Sequence, residues 1–491
     1  MRKRIAILRE FQVLLHQKKS QVAQLVTREA GKPYVEALLT EVLVVLDSAR
    51  FLIGSAYRLL RHEPVPHGNL AMKTKFGRLV SEPYGVIGII SPWNYPFSIP
   101  ATESLAALVA GNAVVVKPSE FTSLTALELA SLLHQAGIPR EIFQVVVGDG
   151  VTGSALISAS IDKLVFTGSV PTGRRIAQSA AARLLPVVLE LGGKDPMLVL
   201  DDADIEIASR GAVWGAFVNA GQACLSVERC YVHRSLYEPF LAACVRHTRQ
   251  LRVGNGTDPE TEIGPMIHQR QLLNVESQVE NARAQGARVL AGGKRLPEIG
   301  ANYYAPTILA DVTHEMSLMR EETFGPVLPV MPFDSDDDAI RLANDSEYGL
   351  AASVWTRDRA RGDALARRIQ AVFPTWTNIR QVSGEPEVAP GIRFVSAPGH
   401  TPGHRAFHLA SGGKELMISN DTAYVPALVV ANPGWHGQYD QDAAMAEASR
   451  RKLLDRVIAD KIQICGYHFP FPGAGTIAKD GTGYALTLMK A

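Results

Sequence analysis

Cys224 is the residue whose neighbourhood most suggests chemistry. It follows Asn219-Ala220-Gly221-Gln222-Ala223, a run of small residues that lets the backbone turn tightly and leaves a thiol open to a cleft. A free thiol titrates near ~8.5 and only the thiolate attacks carbon, so such a nucleophile needs a base or a lowered pKa. The plainer alternative is a buried small hydrophobe. The spacing to Cys230 fits neither a CxxC redox pair nor a zinc knuckle. Glu190 opens Glu190-Leu191-Gly192-Gly193-Lys194 directly after an apolar run. A carboxylate at the end of a parallel strand lies where α/β sheets hold ligands, and otherwise it is a charge with a local partner. Asn94, in Ser91-Pro92-Trp93-Asn94-Tyr95-Pro96, offers an amide donor of the kind that stabilises an oxyanion, or else a turn between prolines. Lys117-Pro118-Ser119-Glu120 closes another apolar run, and Gly168-Ser169-Val-Pro-Thr-Gly173 is a glycine turn opening a helix. Such a turn can receive phosphate, although it is not the GxGxxG fingerprint.

These residues need strands and helices to hold them. Val86–Ile90, Ala113–Val116, Phe143–Val147, Lys163–Phe166 and Pro186–Leu189 are short apolar runs separated by helical stretches such as 123–136 and 172–182. Uniformly apolar strands alternating with helices predict a doubly wound parallel sheet. A second α/β region begins at Pro196 and continues to about residue 370. Before the first sheet, residues 1–31 read as one amphipathic helix stopped by Gly31-Lys32-Pro33, and 35–60 as another. Residues 64–83 read as a hairpin arm, with Leu70, Met72 and Phe76 spaced along it. The acidic run Asp334–Asp338 reads as a solvated helix start.

Composition narrows the function. A 46% hydrophobic and 20% charged chain is globular rather than disordered. Fifty basic against 49 acidic residues give no support for nucleic acid or anionic membrane as a partner. Four cysteines exclude a disulfide scaffold and fit a reducing cytoplasm. No stretch is apolar for the ~18 residues that a spanning helix needs. Arg9, Glu10 and Gln12 break any signal-like segment behind Met1-Arg-Lys-Arg4.

Taken in order, Pro92-Trp-Asn94, Lys117-Pro-Ser-Glu120, Phe166-Thr-Gly-Ser169, Glu190-Leu-Gly-Gly-Lys194, Gly221-Gln-Ala-Cys224 and Glu322-Thr-Phe-Gly-Pro326 resemble the aldehyde dehydrogenase superfamily over roughly residues 1–370. The resemblance implies Cys224 as nucleophile, Glu190 as general base, and Asn94 with the Cys224 N–H as oxyanion donors. It implies cofactor contacts from Trp93, Lys117, Ser119, Glu120, Gly168, Ser169, Gly173, Leu191, Glu322 and Phe324. Lys117 and Glu120 would hold the adenosine ribose. The Glu120 carboxylate would repel a 2′-phosphate, which favours NAD over NADP, the alternative cofactor. The implied fold is an NAD-binding domain over 1–191 including the arm, then a catalytic domain over 192–370. The implied reaction is oxidation of a small aldehyde to an acid through a cysteine thiohemiacetal and thioester.

Residues 371–491 read differently. Pro398-Gly-His400-Thr-Pro-Gly-His404, Ser419-Asn-Asp421-Thr422 and Gly466-Tyr-His468 resemble the second half of a metallo-β-lactamase-fold hydrolase. That resemblance implies His400, Asp421 and His468 as metal ligands, with Zn as the candidate ion. The fold's earlier His-x-His-x-Asp-His motif is not found, and half a sandwich leaves a sheet face without its partner. The chain thus reads as two truncated proteins joined near 370–385, its start falling inside the relatives' early helix. The relatives' Pro-Phe-Gly-Gly segment and closing strand, which partners the arm in a homo-oligomer, are not found either. A metal-dependent hydrolase and a fusion that only binds nucleotide are the competing functions.

Overall fold

The N-terminal stretch forms two helices rather than one, Arg2–Gln17 and Lys19–Ala30, broken at Lys18. The first buries Ile5, Leu8, Phe11 and Leu15, and the second buries Val22, Ala23, Val26 and Ala30. The apolar face is interrupted between Leu15 and Val22 by His16-Gln-Lys-Lys-Ser-Gln, and the helix breaks inside that polar gap. The second helix ends at Gly31 in the left-handed region, as the Gly-Lys-Pro stop predicts. Tyr34–Ala37, a π-turn Leu38–Leu43 and Val44–Leu59 then form one nearly continuous helical rod.

The computed structural model describes residues 1–65, 76–369, 385–389, 391–401, 403–423, 425–436, 440–466, 469 and 473–489. The chain folds as two compact units, Met1–Ile205 with Ala212–Pro374, and Glu206–Gly211 with Thr375–Ala491.

The first unit carries the predicted doubly wound sheet. Its five parallel strands lie in the order Phe143–Val145, Ala113–Lys117, Val86–Ile90, Lys163–Thr167, Val187–Glu190. The strand order reverses between Val86–Ile90 and Lys163–Thr167, so a ligand crevice is expected at the carboxyl ends of those two strands. The turns after them are Ser91–Pro96 and Gly168–Gly173. The central strands are largely buried, whereas edge strand Val187–Glu190 is only half-buried and ends exposed at Glu190. Helices Ser98–Ala110, Ser123–Gln135 and Val170–Ala181 cross between strands.

The unit's second sheet runs Arg288–Ala291, Thr307–Ala310, Val327–Phe333, Val227–His233, Asp195–Val199, Ser353–Trp355. It is parallel except for the Arg288–Ala291 edge. The arm is an antiparallel ribbon of Glu63–Val65 and Gly77–Leu79, exposed along most of its length. Leu70 and Met72 lie outside the described residues. The Asp334–Asp338 run is more than a solvated helix start. Ser335 caps Asp336–Asn344 through the Asp338 N–H, while Asp336 grips Arg361, Asp337 Arg368 and Asp334 Arg234.

The second unit folds around its own core instead of leaving half a sandwich uncovered. Among the described residues, seven strands form one sheet in the order Glu387–Ala389, Ile392–Ser396, Arg405–Ser411, Lys414–Ile418, Gln463–Cys465, Ala474–Asp480, Gly483–Leu488. Only the Lys414–Ile418 and Gln463–Cys465 pair is parallel, and helix Ala443–Ala459 crosses between them. Leu453, Leu454 and Val457 of that helix pack with Val395, Met417 and Ile464 of the sheet. A helix therefore supplies the apolar cover that a second sheet would otherwise give.

Candidate active site

The site is assembled in the first unit from strand ends and the loops that follow them. Asn94 lies in the turn after Val86–Ile90 and is buried. Its side-chain Nδ2 donates to the Gln222 carbonyl at 3.0 Å, two residues before Cys224. An amide nitrogen carries two hydrogens, so this bond leaves one N–H for a ligand. Asn219 closes the knot: its own Nδ2 donates to the carbonyls of Asn94 and Gln222, both at 3.1 Å. The Gln222 side chain in turn donates to the Asn219 carbonyl at 3.0 Å and accepts the Ile267 N–H at 2.9 Å. The loop before Cys224 is thus fixed from both sides.

Its backbone is also strained. Asn219 and Ala220 both take left-handed φ values, 53° and 54°, where side chains other than glycine cost about 1–3 kcal/mol. The burial of Glu36 answers this, its carboxylate accepting the Asn219 N–H at 3.1 Å. Around the first turn the support is ionic. Lys32 Nζ donates to Glu41 at 2.6 Å, both side chains being fully buried, and sits 3.7 Å above the Tyr95 ring. The other Glu41 oxygen accepts the N–H groups of Phe97 and Ser98 at 3.1 and 2.7 Å, at the start of Ser98–Ala110.

Glu190 ends its strand with the side chain exposed, and its carbonyl accepts the Gly168 N–H at 3.0 Å. Three residues on, a Cβ at Gly193 would stand 2.5 Å from the Cys224 carbonyl, so this segment lies directly against the loop of Cys224. The Gly193 N–H donates to Glu322 at 3.2 Å. Glu322 therefore anchors the segment that follows Glu190.

Charge around Cys224 opposes ionisation. Burial pushes the thiol up, and the Asp195 and Glu322 carboxylates push it further. The lowered thiol that would attack unaided is not what the chain builds, so a base is required. The two acids are themselves pushed up to about 7, chiefly by burial. Asp195 is partly held down by the Ala351 N–H, and Glu322 by Gly193 and Lys194.

Most of the predicted cofactor residues follow the carboxyl ends of strands in the first sheet. Lys117 ends its strand buried, its Nζ 3.6 Å from the half-exposed Glu120 carboxylate. Ser119 Oγ accepts the Phe121 N–H at 3.3 Å, which starts the turn carrying Glu120. Ser169 precedes Val170–Ala181 without capping it; its hydroxyl goes to Thr172 at 3.1 Å. The helix N-terminus is thus left to an outside acceptor, the arrangement that binds phosphate. Gly173 lets this helix approach the next segment, because a Cβ there would collide with the Leu191 side chain. Across the crevice Trp93 meets the Phe324 ring edge-on at 5.3 Å. Phe324 has φ 49° and is held by its N–H, which donates to Glu228 at 2.8 Å. Glu228 also accepts Thr323 N–H at 2.8 Å and Lys194 Nζ at 2.6 Å. Burial pulls the Lys194 amine down, against the pull of Glu228.

Lys32, Glu36, Glu41, Lys194, Asp195 and Glu228 carry no role that the sequence alone suggests. Their spacing looks like that of helix-surface or strand-edge charges, and their partners stand up to 183 residues away. Lys194 lies inside the Glu190-Leu-Gly-Gly-Lys194 motif, which is the one available signal.

In the second unit, His400 Nε2 stands 3.8 Å from Asp421, and its Nδ1 meets Asp440 at 3.1 Å. His468 lies outside the described residues. Among the described residues no group of three or more His, Cys, Asp and Glu side chains is spaced to hold a metal ion. None of the described helices is long and apolar enough to cross a membrane.

A sequence profile described as "Aldehyde dehydrogenase family" matches residues 1–400. The chain is 45% identical over 339 residues to the 4,4'-diapolycopene aldehyde oxidase of a Methylomonas species, covering 69% of this chain and 63% of that protein. The chain therefore spans less than two thirds of that relative's length. It is 41% identical over 371 residues to a "Putative succinate-semialdehyde dehydrogenase [NADP(+)]" of Mycolicibacterium smegmatis, covering 75% of this chain and 71% of that one. The NAD+ complex of an aldehyde dehydrogenase from Bacillus cereus superposes with a TM-score of 0.72 at 37% identity, covering 75% and 74% of the two chains.

Proposed function

Since the chain belongs to the aldehyde dehydrogenase family, we propose that it oxidises a small aldehyde to the carboxylic acid with NAD(P) as hydride acceptor. The observation that carries this reading is the bond from Asn94 Nδ2 to the Gln222 carbonyl, which brings an amide donor beside the loop of the thiol. The Glu190 carboxylate takes the Cys224 proton and releases it to solvent, and the sulfur bonds the aldehyde carbon. The remaining Asn94 N–H and the Cys224 N–H receive the oxyanion, each such donor being worth about 3–4 kcal/mol. The bound dinucleotide supplies the acceptor for the hydride. Glu190 then takes a proton from water, the water oxygen bonds the thioester carbon and the thiolate leaves.

The cradle fits a dinucleotide. The uncapped helix after Ser169 suits the pyrophosphate, and Lys117 with Glu120 suits the ribose hydroxyls. Glu322 and Phe324, with Trp93 against the ring, suit the nicotinamide end. A carboxylate at Glu120 favours NAD, while the mycobacterial relative is described as NADP-dependent. The corresponding domains are 1–191 for cofactor and 192–370 for the nucleophile. The exposed ribbon Glu63–Val65 and Gly77–Leu79 supports a homo-oligomer, and four free thiols support a reducing cytoplasm.

For residues 371–491 the finer reading is a remnant of a metallo-β-lactamase-like hydrolase, supported by His400 beside Asp421. Metal content of the purified chain tests it: stoichiometric Zn lost in His400→Ala favours the hydrolase, and no Zn removes it. The main reading is tested by mixing the full chain with NAD or NADP and a panel of aldehydes. NADH or NADPH forms with the native protein and not with Cys224→Ser. A folded protein that reduces neither cofactor refutes it.

A further inference from the structure

One half-buried carboxyl near the proposed base takes no part in the reaction so far assigned to the chain. Glu103 lies on helix Ser98–Ala110, and its Oε1 accepts the Thr167 hydroxyl at 3.2 Å. Its Oε2 is buried and has no hydrogen-bond partner. A buried carboxylate oxygen without a donor is costly, which calls for an explanation. Thr167 and Glu190 are register partners at the ends of adjacent parallel strands. Register partners point to the same face, and neighbouring strands lie about 4.8 Å apart. The Glu103 carboxyl and the Glu190 side chain therefore share one face at the mouth of the crevice.

Resting on the aldehyde dehydrogenase reading, we propose that Glu103 acts through Glu190 as its proton acceptor during thioester hydrolysis. The water O–H bond breaks and its proton goes to Glu190. The oxygen bonds the thioester carbon and the C–S bond breaks, releasing the Cys224 thiolate. The proton then passes from Glu190 to Glu103 Oε2 and out to solvent, with no change in oxidation state. In this role Glu103 works on the base and not on the acyl group, and so is a positioning residue.

The surroundings suit this role. Burial pushes Glu103 up to about 7, the Thr167 hydroxyl opposes that, and the Glu190 charge adds to it. The other charged groups on packed elements are engaged or turned to solvent. Lys117 faces Glu120, Glu41 faces Lys32, and Arg4 donates to the Val109 carbonyl at the far end of the helix. Lys163, at the opposite end of the strand that carries Thr167, sits over the Tyr84 ring. Asp47, Arg50 and Arg58 on Val44–Leu59 are exposed, as are Arg174 and Arg175 on Val170–Ala181. A carboxyl ionised above about 7 accepts a proton, and one protonated below it does not.

The test is rapid-mixing kinetics of the full chain with NAD and an aldehyde substrate between about pH 5.5 and about pH 8.5, a range that brackets the ~7 midpoint. In the native protein the NADH burst reports acylation and hydride transfer, and the later steady rate reports hydrolysis. Glu103→Gln keeps the burst amplitude, loses about tenfold in the steady rate, and loses the rise of that rate through neutral pH. Thr167→Val leaves the carboxyl in place without its donor, so the inflection moves to higher pH. Glu103→Asp restores part of the rate. A native-like steady rate and inflection in Glu103→Gln overturns the proposal while leaving aldehyde oxidation standing. An unmoved inflection in Thr167→Val also overturns it. Absence of any NADH formation by the native protein, burst or steady, overturns both readings.

Discussion

Glu36→Gln separates the structural use of a buried acid from its charge. Glu36 is buried and accepts the Asn219 N–H that holds the strained turn before Cys224. Burial raises it from the usual 4.5 to about 7, against the opposing pull of Lys32 and the Asn219 N–H. Lys32 is already paired with Glu41, so an ionised Glu36 is a surplus negative charge. The folded chain binds this proton more tightly than the unfolded one. Its contribution is full below about 4.5 and is lost as pH rises through about 7. At about 1.4 kcal/mol per tenfold in proton affinity, the loss across that window is roughly 3 kcal/mol. Glutamine keeps an oxygen acceptor for Asn219 and carries no charge. The variant is expected to match the native protein near about pH 5 and to exceed it by roughly 1–3 kcal/mol near about pH 8. Urea midpoints read by hydrogen exchange of peptides from residues 19–110 measure this at each pH. A variant that is less stable than native at the higher pH, or whose difference is the same at both pH values, refutes the assignment of the cost to charge.

Two other substitutions probe the same frame. Lys32→Met strands Glu41 in the core, and breaking one side of such a pair costs about 3–5 kcal/mol. Its urea midpoint should fall well beyond that of any exposed-pair control such as Arg210→Ala. Asn94→Ala removes both the proposed oxyanion donor and the bond to Gln222, so kcat should fall about 10²–10³-fold with NAD affinity unchanged. A loss in cofactor binding instead, measured by calorimetry, would place Asn94 in the cofactor site.

What the sequence disclosed of the site is what chain geometry forces to be local. A strand end, the turn after it and the first turn of the next helix are contiguous, so Lys117-Pro-Ser-Glu120 and Phe166-Thr-Gly-Ser169 are visible as words. Gly173 belongs to the same class, since its collision partner Leu191 lies on the strand-end segment that the Glu190-Leu-Gly-Gly-Lys194 motif already names. The broken first helix is less legible because a polar gap of this length is compatible with either a bend or a continuous exposed turn. The apolar runs located the five strands, but the half-buried edge strand Val187–Glu190 shows that uniform hydrophobicity does not by itself mean burial on both faces.

Glu36, Glu41 and Glu228 belong to the opposite class. Each serves backbone N–H groups far away in sequence: Asn219, Phe97 with Ser98, and Thr323 with Phe324. A helical glutamate with an apolar neighbour looks the same on paper whether its carboxylate meets water or a strained turn. The difference is tertiary, and it matters because two of those turns carry Asn94 and Cys224. Left-handed φ at Asn219 and Ala220 is tolerable only where the surroundings over-determine it. The acids of the first helices supply that excess of constraint. The N-terminal helices are therefore part of the site, although no atom of theirs need touch an aldehyde.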